Sequence, residues 1–200
     1  MKYIVGIDEV GRGPLAGPVT VGVVVCRADI YIALKRDKRL PGSGKDSKKL
    51  SHADREKYSK MLKHLAKEKK ISFVVTHISQ TIIDSKGISF AIKKAMRSGI
   101  QKLKIDPKQT EIRLDGSLHA PAEFTNQKTI IKGDEKEKII AWASILAKVS
   151  RDALMCRHAK KFPQYGFEIH KGYGTAKHRN TIQTHGFSIL HRKSFCKNII

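Results

Sequence analysis

The distribution of apolar residues along the 200-residue chain predicts a mixture of strands and helices. Short runs rich in Val and Ile, bounded by turn-forming residues, have the length and composition of strands. They cover residues 2–8, 18–26, 71–78, 111–118 and 128–135. The first two are almost continuously apolar, which is typical of central strands that are covered on both faces.

Helical spacing of apolar positions follows in three longer segments. The first opens at Ser51, with Asp54 three residues later in a capping-box pattern. The second covers 80–104, and the third runs from about 135 to 162. A loop rich in Tyr, Gly, His and Lys and a short helix from about Thr175 complete the chain. Strands mixed with helices in this order indicate an α/β or α+β layered domain.

The charge balance points to a polyanionic partner. Forty Lys and Arg against eighteen Asp and Glu leave a net charge of +22, with a pI near 10.1. Neutralising phosphates releases their counterions, so nucleic acid is the leading candidate. A basic membrane-surface protein is the rival, but the chain has no basic amphipathic helix or lipidation signal. A generally basic proteome would be the plainer explanation of the charge.

Cysteine usage and apolar run lengths indicate the compartment. The three cysteines are far apart, odd in number and without a CxxC pair, which argues against both a disulfide framework and a zinc site. The N-terminus lacks the layout of a signal peptide, and the longest later apolar stretch, about 139–149, is too short to span a bilayer. We expect a cytoplasmic protein with no membrane partner.

Four acidic residues occupy unusual positions. Asp8 and Asp115 each follow a short apolar strand with a glycine within three residues, and Glu9 is the neighbour of the first. Strand ends fix a side chain, and glycine lets a ligand approach. Asp152 lies on the apolar face of the third helix, where a carboxylate is costly unless it is compensated. A surface ion pair with a neighbouring Lys or Arg would explain Asp152 equally well.

Convergence of these acids in a basic protein would favour a metal-dependent nuclease. Crowded carboxylates repel one another and therefore need cations, and an all-oxygen ligand set selects Mg²⁺ or Mn²⁺. Two such ions would stabilise the attacking and leaving oxygens of a phosphoryl displacement. The nine histidines show no zinc-hydrolase spacing.

Seven sequence blocks, in order along the whole chain, resemble ribonuclease HII. They are GIDEVGRGPLAGPV (6–19), DSKKLS (46–51), RLDGSL (113–118), IKGDEK (131–136), IAWASILAKVSRD (140–152), FEIHKGYGTAKH (167–178) and HRKSF (191–195). The resemblance implies an α/β, RNase H-like fold, with a five-stranded mixed sheet flanked by helices. It also implies a catalytic domain over 1–160 and, over 161–200, a substrate-junction loop, a short helix and a basic tail.

The same resemblance implies the reaction and the metal ligands. A ribonuclease HII would cleave RNA in RNA–DNA hybrids, and 5′ to single ribonucleotides in duplex DNA, with Mg²⁺ or Mn²⁺ as cofactor. The products would carry 3′-hydroxyl and 5′-phosphate ends, and the enzyme would act as a monomer. Matched block by block, the catalytic and metal-binding acids fall on Asp8, Glu9, Asp115 and Asp152.

Substrate contacts are implied at six positions: Gly11, Arg12, Gly13, Ser47, Lys48 and Tyr173. The first three would meet the 2′-hydroxyl of the ribonucleotide, which distinguishes RNA from DNA. The next two would hold a phosphate, and the tyrosine would stack near the sugar at the RNA–DNA junction. Without the other blocks, a solvated basic turn and a packing tyrosine would be the ordinary interpretations.

Three departures from the family pattern leave questions open. Trp142 stands where the family has a small residue, which would alter helix packing near Asp152. The basic stretch 30–45 would extend the footprint on a duplex, and the residues after HRKSF form no clear peptide for binding a sliding clamp. A nucleic-acid-binding protein without catalysis, and a resolvase or integrase with the same fold, are the rival interpretations.

The two adjacent acids pose a geometric problem, because neighbouring strand residues point to opposite faces. We therefore expect the first strand to end at Asp8, with irregular backbone over 9–13. Glu9 would then contribute through its backbone carbonyl or a turned side chain.

Overall fold

A five-stranded mixed sheet forms the centre of the computed structural model, which describes residues 1–42, 50–116, 118–197 and 199. The strands are β1 (Tyr3–Val10), β2 (Val19–Arg27), β3 (Ile71–Ile78), β4 (Thr110–Asp115) and β5 (Gln127–Ile130). Their order is β3-β2-β1-β4-β5. β1 pairs antiparallel with β2 and parallel with β4, so the predicted mixed sheet is confirmed.

Helices cover both faces of this sheet. Within the described residues they are α1 (Ala28–Arg36), α2 (His52–Lys67), α3 (Gln80–Lys86), α4 (Ile88–Lys102), α5 (Gly133–Lys136), α6 (Lys138–Lys161), α7 (Phe167–His170) and α8 (Ala176–His185). The capping box at Ser51 is present. The predicted helix over 80–104 is two helices, because the backbone at Gly87 has a φ of 83°. Neither α1 nor α7 was predicted from the sequence.

Close contact between α6 and the sheet sets the position of the functional residues. A Cβ atom on Gly6 would lie 2.3 Å from the carbonyl oxygen of Ile139, and one on Gly22 would lie 2.3 Å from that of Ala143. Only glycine permits this approach of β1 and β2 to the helix. The opposite face of the sheet is covered by α4, whose buried residues include Ala91, Ala95 and Met96.

The end of β1 differs from the sequence-based expectation. The strand continues past Asp8, with Glu9 paired to Val21 and Val10 paired to Thr20 across the antiparallel ladder. The predicted end at Asp8 is therefore wrong, because pairing with β2 keeps the next two residues extended. The strand stops before Gly11, whose φ of 86° takes the chain out of the sheet.

The C-terminal segment packs on the end of α6 through a small apolar cluster. Its buried members are Ala16, Met155, Ala159, Tyr165, Phe167 and Leu190. The division into 1–160 and 161–200 stays a prediction. None of the helices in the described part of the chain combines the length and apolar character needed to cross a membrane.

Candidate active site

Asp8 and Asp115 lie side by side on neighbouring strands. The parallel register of β1 and β4 pairs Ile7 with Leu114, so the next position on each strand carries an acid. Side chains alternate along β1, and Ile4 belongs to the apolar cluster beneath α6. Asp8 therefore points towards α6, and only 5% of it is exposed.

Burial among other acids makes Asp8 the electrostatic centre of the site. Burial raises the pKa of Asp8 well above its usual range, and the neighbouring side chain of Ser144 offsets part of this increase. The amide of Glu9 also donates to Asp8 Oδ1 at 2.8 Å. The negative charges of three nearby acids raise the pKa of Asp8 further: Asp115, Glu9 and Asp134. Such a cluster favours the binding of a cation.

Glu9 lies between this cluster and an arginine. Strand alternation puts its side chain on the face opposite that of Asp8, and its Oε1 accepts from Arg12 Nη1 at 3.3 Å. Burial raises the pKa of Glu9, and the Arg12 charge partly offsets this increase. The negative charge of Asp115 raises it further, so Glu9 remains within the field of the acid cluster. Ligation through its carbonyl or a turned side chain stays a prediction.

Asp134 is a site residue that the sequence analysis missed. Asp115 Oδ1 accepts from the amides of Gly133 at 2.5 Å and Asp134 at 3.4 Å, so the start of α5 is fixed against the end of β4. The negative charge of Asp134 raises the pKa of Asp8, and Asp134 also lines the neighbouring cleft. A signal was present, because Asp134 lies at the end of the predicted strand 128–135 beside a glycine, just as Asp115 lies at a strand end beside Gly116.

A cleft of about 150 Å³ opens beside these acids. It is lined by Val10, Arg55, Asp134, Ala141, Ser144, Ile145 and Lys148. Two cationic side chains, Arg55 and Lys148, therefore face the same space as Asp134 and Ser144. Acids that bind a metal beside cations that bind phosphate form an arrangement suited to a phosphodiester.

Asp152 lies further along α6 and has a different partner. Its Oδ1 accepts from Lys148 Nζ at 2.9 Å, and only 7% of the residue is exposed. It follows Ser144 by eight residues, or about 12 Å along the helix axis. The structure therefore joins Asp152 to the cleft through Lys148, and its role as a metal ligand stays a prediction.

The donor set suits a hard divalent cation by its chemistry. The acids supply carboxylate oxygens only, and Asp8 is desolvated among like charges, which a divalent ion would offset. As the side chains stand, no three His, Cys, Asp or Glu residues in the described part of the chain are arranged to hold an ion. Their oxygens are instead bonded to Arg12 and to the amides of Glu9 and Gly133.

The predicted substrate contacts border this site where they are described. Gly11 is buried at the end of β1, whereas Arg12 and Gly13 are exposed. Tyr173 is 41% exposed, and its ring centre lies 5.8 Å from Lys148 Nζ. An exposed aromatic ring beside a cation can stack on a base or sugar. The other two predicted contacts, Ser47 and Lys48, lie outside the described residues.

Trp142 packs away from the acids. It is fully buried on α6, its Nε1 donates to the carbonyl of Pro41 at 3.1 Å, and its ring meets Tyr31 of α1 edge-on at 5.8 Å. Tyr31 and Pro41, both in the described part of the basic stretch, are thus fixed to α6. Its predicted extension of the duplex footprint stays a prediction.

Comparison with known proteins identifies the family. The family model described as Ribonuclease HII matches residues 5–198. The chain belongs to the ribonuclease HII family. Ribonucleases HII are metal-dependent endonucleases, a class of hydrolase, that act as ribonucleases H on the RNA of hybrids.

Individual relatives agree with this family over the full chain. Ribonuclease HII of Caldicellulosiruptor bescii is 42% identical over 199 residues, covering 100% of this chain and 89% of that protein. The crystal structure of ribonuclease H2 from Pyrococcus horikoshii has a TM-score of 0.72 at 25% identity, over 98% of this chain and 96% of that one. The Archaeoglobus fulgidus ribonuclease HII, solved in a complex with PCNA, shares the fold with a TM-score of 0.70 at 24% identity, over 98% and 94% of the chains.

Proposed function

We propose that this ribonuclease HII cleaves the RNA strand of RNA–DNA hybrids and cuts 5′ to single ribonucleotides embedded in duplex DNA. The products are 3′-hydroxyl and 5′-phosphate ends. The observation that carries the proposal is the buried Asp8 beside Asp115, with the Gly11–Gly13 loop beginning three residues after the first acid. Cutting and recognition of the ribonucleotide therefore fall at the same end of one strand.

The proposed metal ligands are Asp8, Glu9 and Asp115, with one further acid. When bound, two Mg²⁺ or Mn²⁺ ions would activate water and offset charge on the scissile phosphate. The protein fixes two of these acids, Asp8 and Asp115, on adjacent strands, and the amide of Glu9 holds Asp8 Oδ1 by a hydrogen bond. This rigidity suits in-line hydrolysis, which depends on positioning.

Asp134 is the better-supported candidate for the fourth acid. Its charge acts on Asp8, its amide lies 3.4 Å from Asp115 Oδ1, and it lines the cleft. Asp152 was predicted for this role, but its carboxylate is bonded to Lys148. We propose that Asp152 contributes by holding Lys148 at the cleft, where the ammonium group can meet a substrate phosphate.

Recognition of the substrate is assigned to the loops around the acids. We propose that Gly11, Arg12 and Gly13 contact the ribose 2′-hydroxyl and that Tyr173 stacks at the RNA–DNA junction. Ser47 and Lys48 would hold a phosphate. The net charge of +22 supports a polyanionic duplex as the substrate. Action as a monomer stays a prediction, recruitment by a sliding clamp is left open, and the three free cysteines suit the reducing cytoplasm.

A cleavage assay tests the proposed function. A labelled RNA–DNA hybrid is incubated with the wild-type protein and with Asp8→Asn, each with Mg²⁺ and with chelator. We expect cleavage only by the wild type with Mg²⁺, while both proteins bind the hybrid. Cleavage by Asp8→Asn at the wild-type rate would refute the assignment of the site.

A further inference from the structure

Arg192 lies far from β1 in the sequence but contacts the loop that follows β1, on the buried side of that loop. The residue is fully buried, and its guanidinium donates to three carbonyls, those of Gly11 at 2.7 Å, Arg12 at 2.9 Å and Gly17 at 2.9 Å. Within the described residues it forms no ion pair. A buried cation is costly unless its donors are satisfied, so these carbonyls are fixed inward.

The geometry of the peptide unit turns the inward carbonyls into outward amides. In a planar trans peptide, the C=O and the following N–H point in opposite directions, and the described chain has no cis peptide. Because the carbonyls of Gly11 and Arg12 face Arg192, the N–H groups of Arg12 and Gly13 point away from it. Neither amide has an acceptor within the described part of the chain, whereas Leu15 and Ala16 both donate to Gly172.

A second buried guanidinium joins this loop to the one that carries Tyr173. Arg151 donates to the carbonyls of Ala16 at 3.3 Å, Pro18 at 3.0 Å and Lys171 at 3.0 Å. Its Cζ also lies 5.9 Å from the ring centre of Tyr173. The two loops are therefore held as one unit with a fixed relative position.

Keeping two guanidiniums together inside the protein is expensive. Burial lowers the pKa of Arg192 to about 9, and the nearby charge of Arg151 contributes to the decrease. With a pKa of about 9, Arg192 is still charged at neutral pH. A buried apolar side chain of similar size would cost less folding free energy than this buried charge. The free-energy cost of burying both guanidinium groups is explained if the orientation of the loop matters for function.

We propose that Arg192 is a positioning residue that determines the preference for ribonucleotides, because it aims the amides of Arg12 and Gly13 at the ribose 2′-hydroxyl. The inference rests on the proposed function and adds that discrimination depends on a side chain that does not itself touch the nucleic acid. The 2′-hydroxyl can accept from these amides, and DNA lacks it. Lysine cannot replace the arginine, since one ammonium group lacks the fork that spans several carbonyls.

The test measures binding in the Asp8→Asn background, which keeps the substrate intact. Two duplexes of identical sequence are compared, one all-DNA and one with a single ribonucleotide, and the ratio of their Kd values is the readout. We expect Arg192→Lys to reduce the preference for the ribonucleotide about tenfold, which corresponds to the loss of about one hydrogen bond. Affinity for the all-DNA duplex should change little.

Arg113→Lys is the matched control for loss of stability. Arg113 is an inward-facing arginine, 17% exposed in its side chain, but it pairs with Glu111 and Glu137 away from the loop. The control should lower the Tm and leave the Kd ratio unchanged. An unchanged ratio in Arg192→Lys would overturn this inference alone, whereas a background protein without any preference would overturn the proposed function and this inference together.

Amide hydrogen exchange provides a second measurement that does not require the Arg192 variant to fold. In the Asp8→Asn protein, the amides of Arg12 and Gly13 should exchange more slowly with the ribonucleotide duplex than with the all-DNA duplex. Equal protection by both duplexes would overturn the inference.

Discussion

Lys148 and Asp152 form an ion pair one helical turn apart on α6, with Nζ and Oδ1 separated by 2.9 Å. The pair lies at the edge of the cleft, since Lys148 lines it and also approaches the ring of Tyr173. Asp152 is therefore paired with a cation at the edge of the cleft. The negative charge of Asp134, by contrast, raises the pKa of Asp8. This contrast separates two acids that the sequence alone does not distinguish.

The first prediction compares Asp134→Asn with Asp152→Asn. Loss of a residue in the shell around a metal commonly costs 10–100-fold, so loss of a ligand should lower kcat by at least about 100-fold. We expect this for Asp134→Asn, and a decrease of about tenfold or less for Asp152→Asn, chiefly through KM. Single-turnover kinetics on a hybrid at several Mg²⁺ concentrations measure both. The opposite order would restore Asp152 as the ligand.

Replacing the buried acid should stabilise the metal-free protein. The pKa of Asp8 is raised, so its ionised form opposes folding, and this cost grows as pH rises through the raised value. Asp8→Asn should therefore have a higher Tm than the wild type at pH 7.5 in chelator, by about 2–4 °C for each kcal/mol relieved. Added Mg²⁺ should raise the Tm of the wild type only. A lower Tm for Asp8→Asn in chelator would contradict this explanation.

Two glycines of the same loop should respond differently to alanine. Gly11 has a φ of 86°, and a Cβ there would lie 2.2 Å from Arg151 Nε, whereas a Cβ on Gly13 would have nothing within 4 Å. Gly11→Ala should lower the free energy of unfolding by about 1–3 kcal/mol and weaken hybrid binding. Gly13→Ala should leave the Tm within about 1 °C, since surface substitutions usually change stability by less than about 0.5 kcal/mol. Equal losses of Tm in both variants would show that the loop lacks this geometry.

Two buried histidines support the loop that carries Tyr173. His178 donates from Nδ1 to the carbonyl of Tyr173 at 2.9 Å, so its Nε2 accepts from His191 Nε2 at 3.1 Å. His191 Nδ1 in turn accepts from the amide of Ser188 at 2.9 Å. Both rings are thus neutral, and an added proton would set two donors against each other.

Acid should therefore loosen this region. Burial lowers the pKa of His178 and His191 to about 4, against about 6.5 when exposed. The stability that these groups contribute is complete above about pH 6.5 and is lost as pH falls towards about 4. The Tm should fall over this interval, and His191→Gln should flatten the profile, whereas His52→Gln, at an exposed position, should not. A wild-type Tm that is constant from pH 6.5 to 4.5 would contradict the neutral pair.

Much of the sheet and three of the four clustered acids could be predicted from the sequence. The strand over 71–78 has the predicted bounds, and the strand-end pattern correctly brought Asp8 and Asp115 together. The same pattern could have selected Asp134, but its proximity to Asp8 depends on β5 pairing beside β4, which local patterns do not encode. The predicted end of β1 at Asp8 was wrong because backbone pairing with β2 keeps Glu9 and Val10 extended, where the prediction assumed a turn.

Contacts between distant parts of the chain could not be predicted. The bond from Arg192 to Gly11 joins residues 181 positions apart, and neither residue alone indicates it. Both residues lie in blocks that resemble the family, 6–19 and 191–195, but the resemblance does not indicate that Arg192 binds the carbonyl of Gly11. Tertiary structure was needed to relate the two.

The most direct test of the proposed cleavage uses duplex DNA with one ribonucleotide at a defined position. The duplex is incubated with the wild-type protein and Mg²⁺, and the ends of the products are mapped. We expect one cut on the 5′ side of the ribonucleotide, with 3′-hydroxyl and 5′-phosphate ends, and no cut in the matched all-DNA duplex. Intact ribonucleotide duplex under conditions where the protein binds it, or equal cutting of the all-DNA duplex, would contradict it.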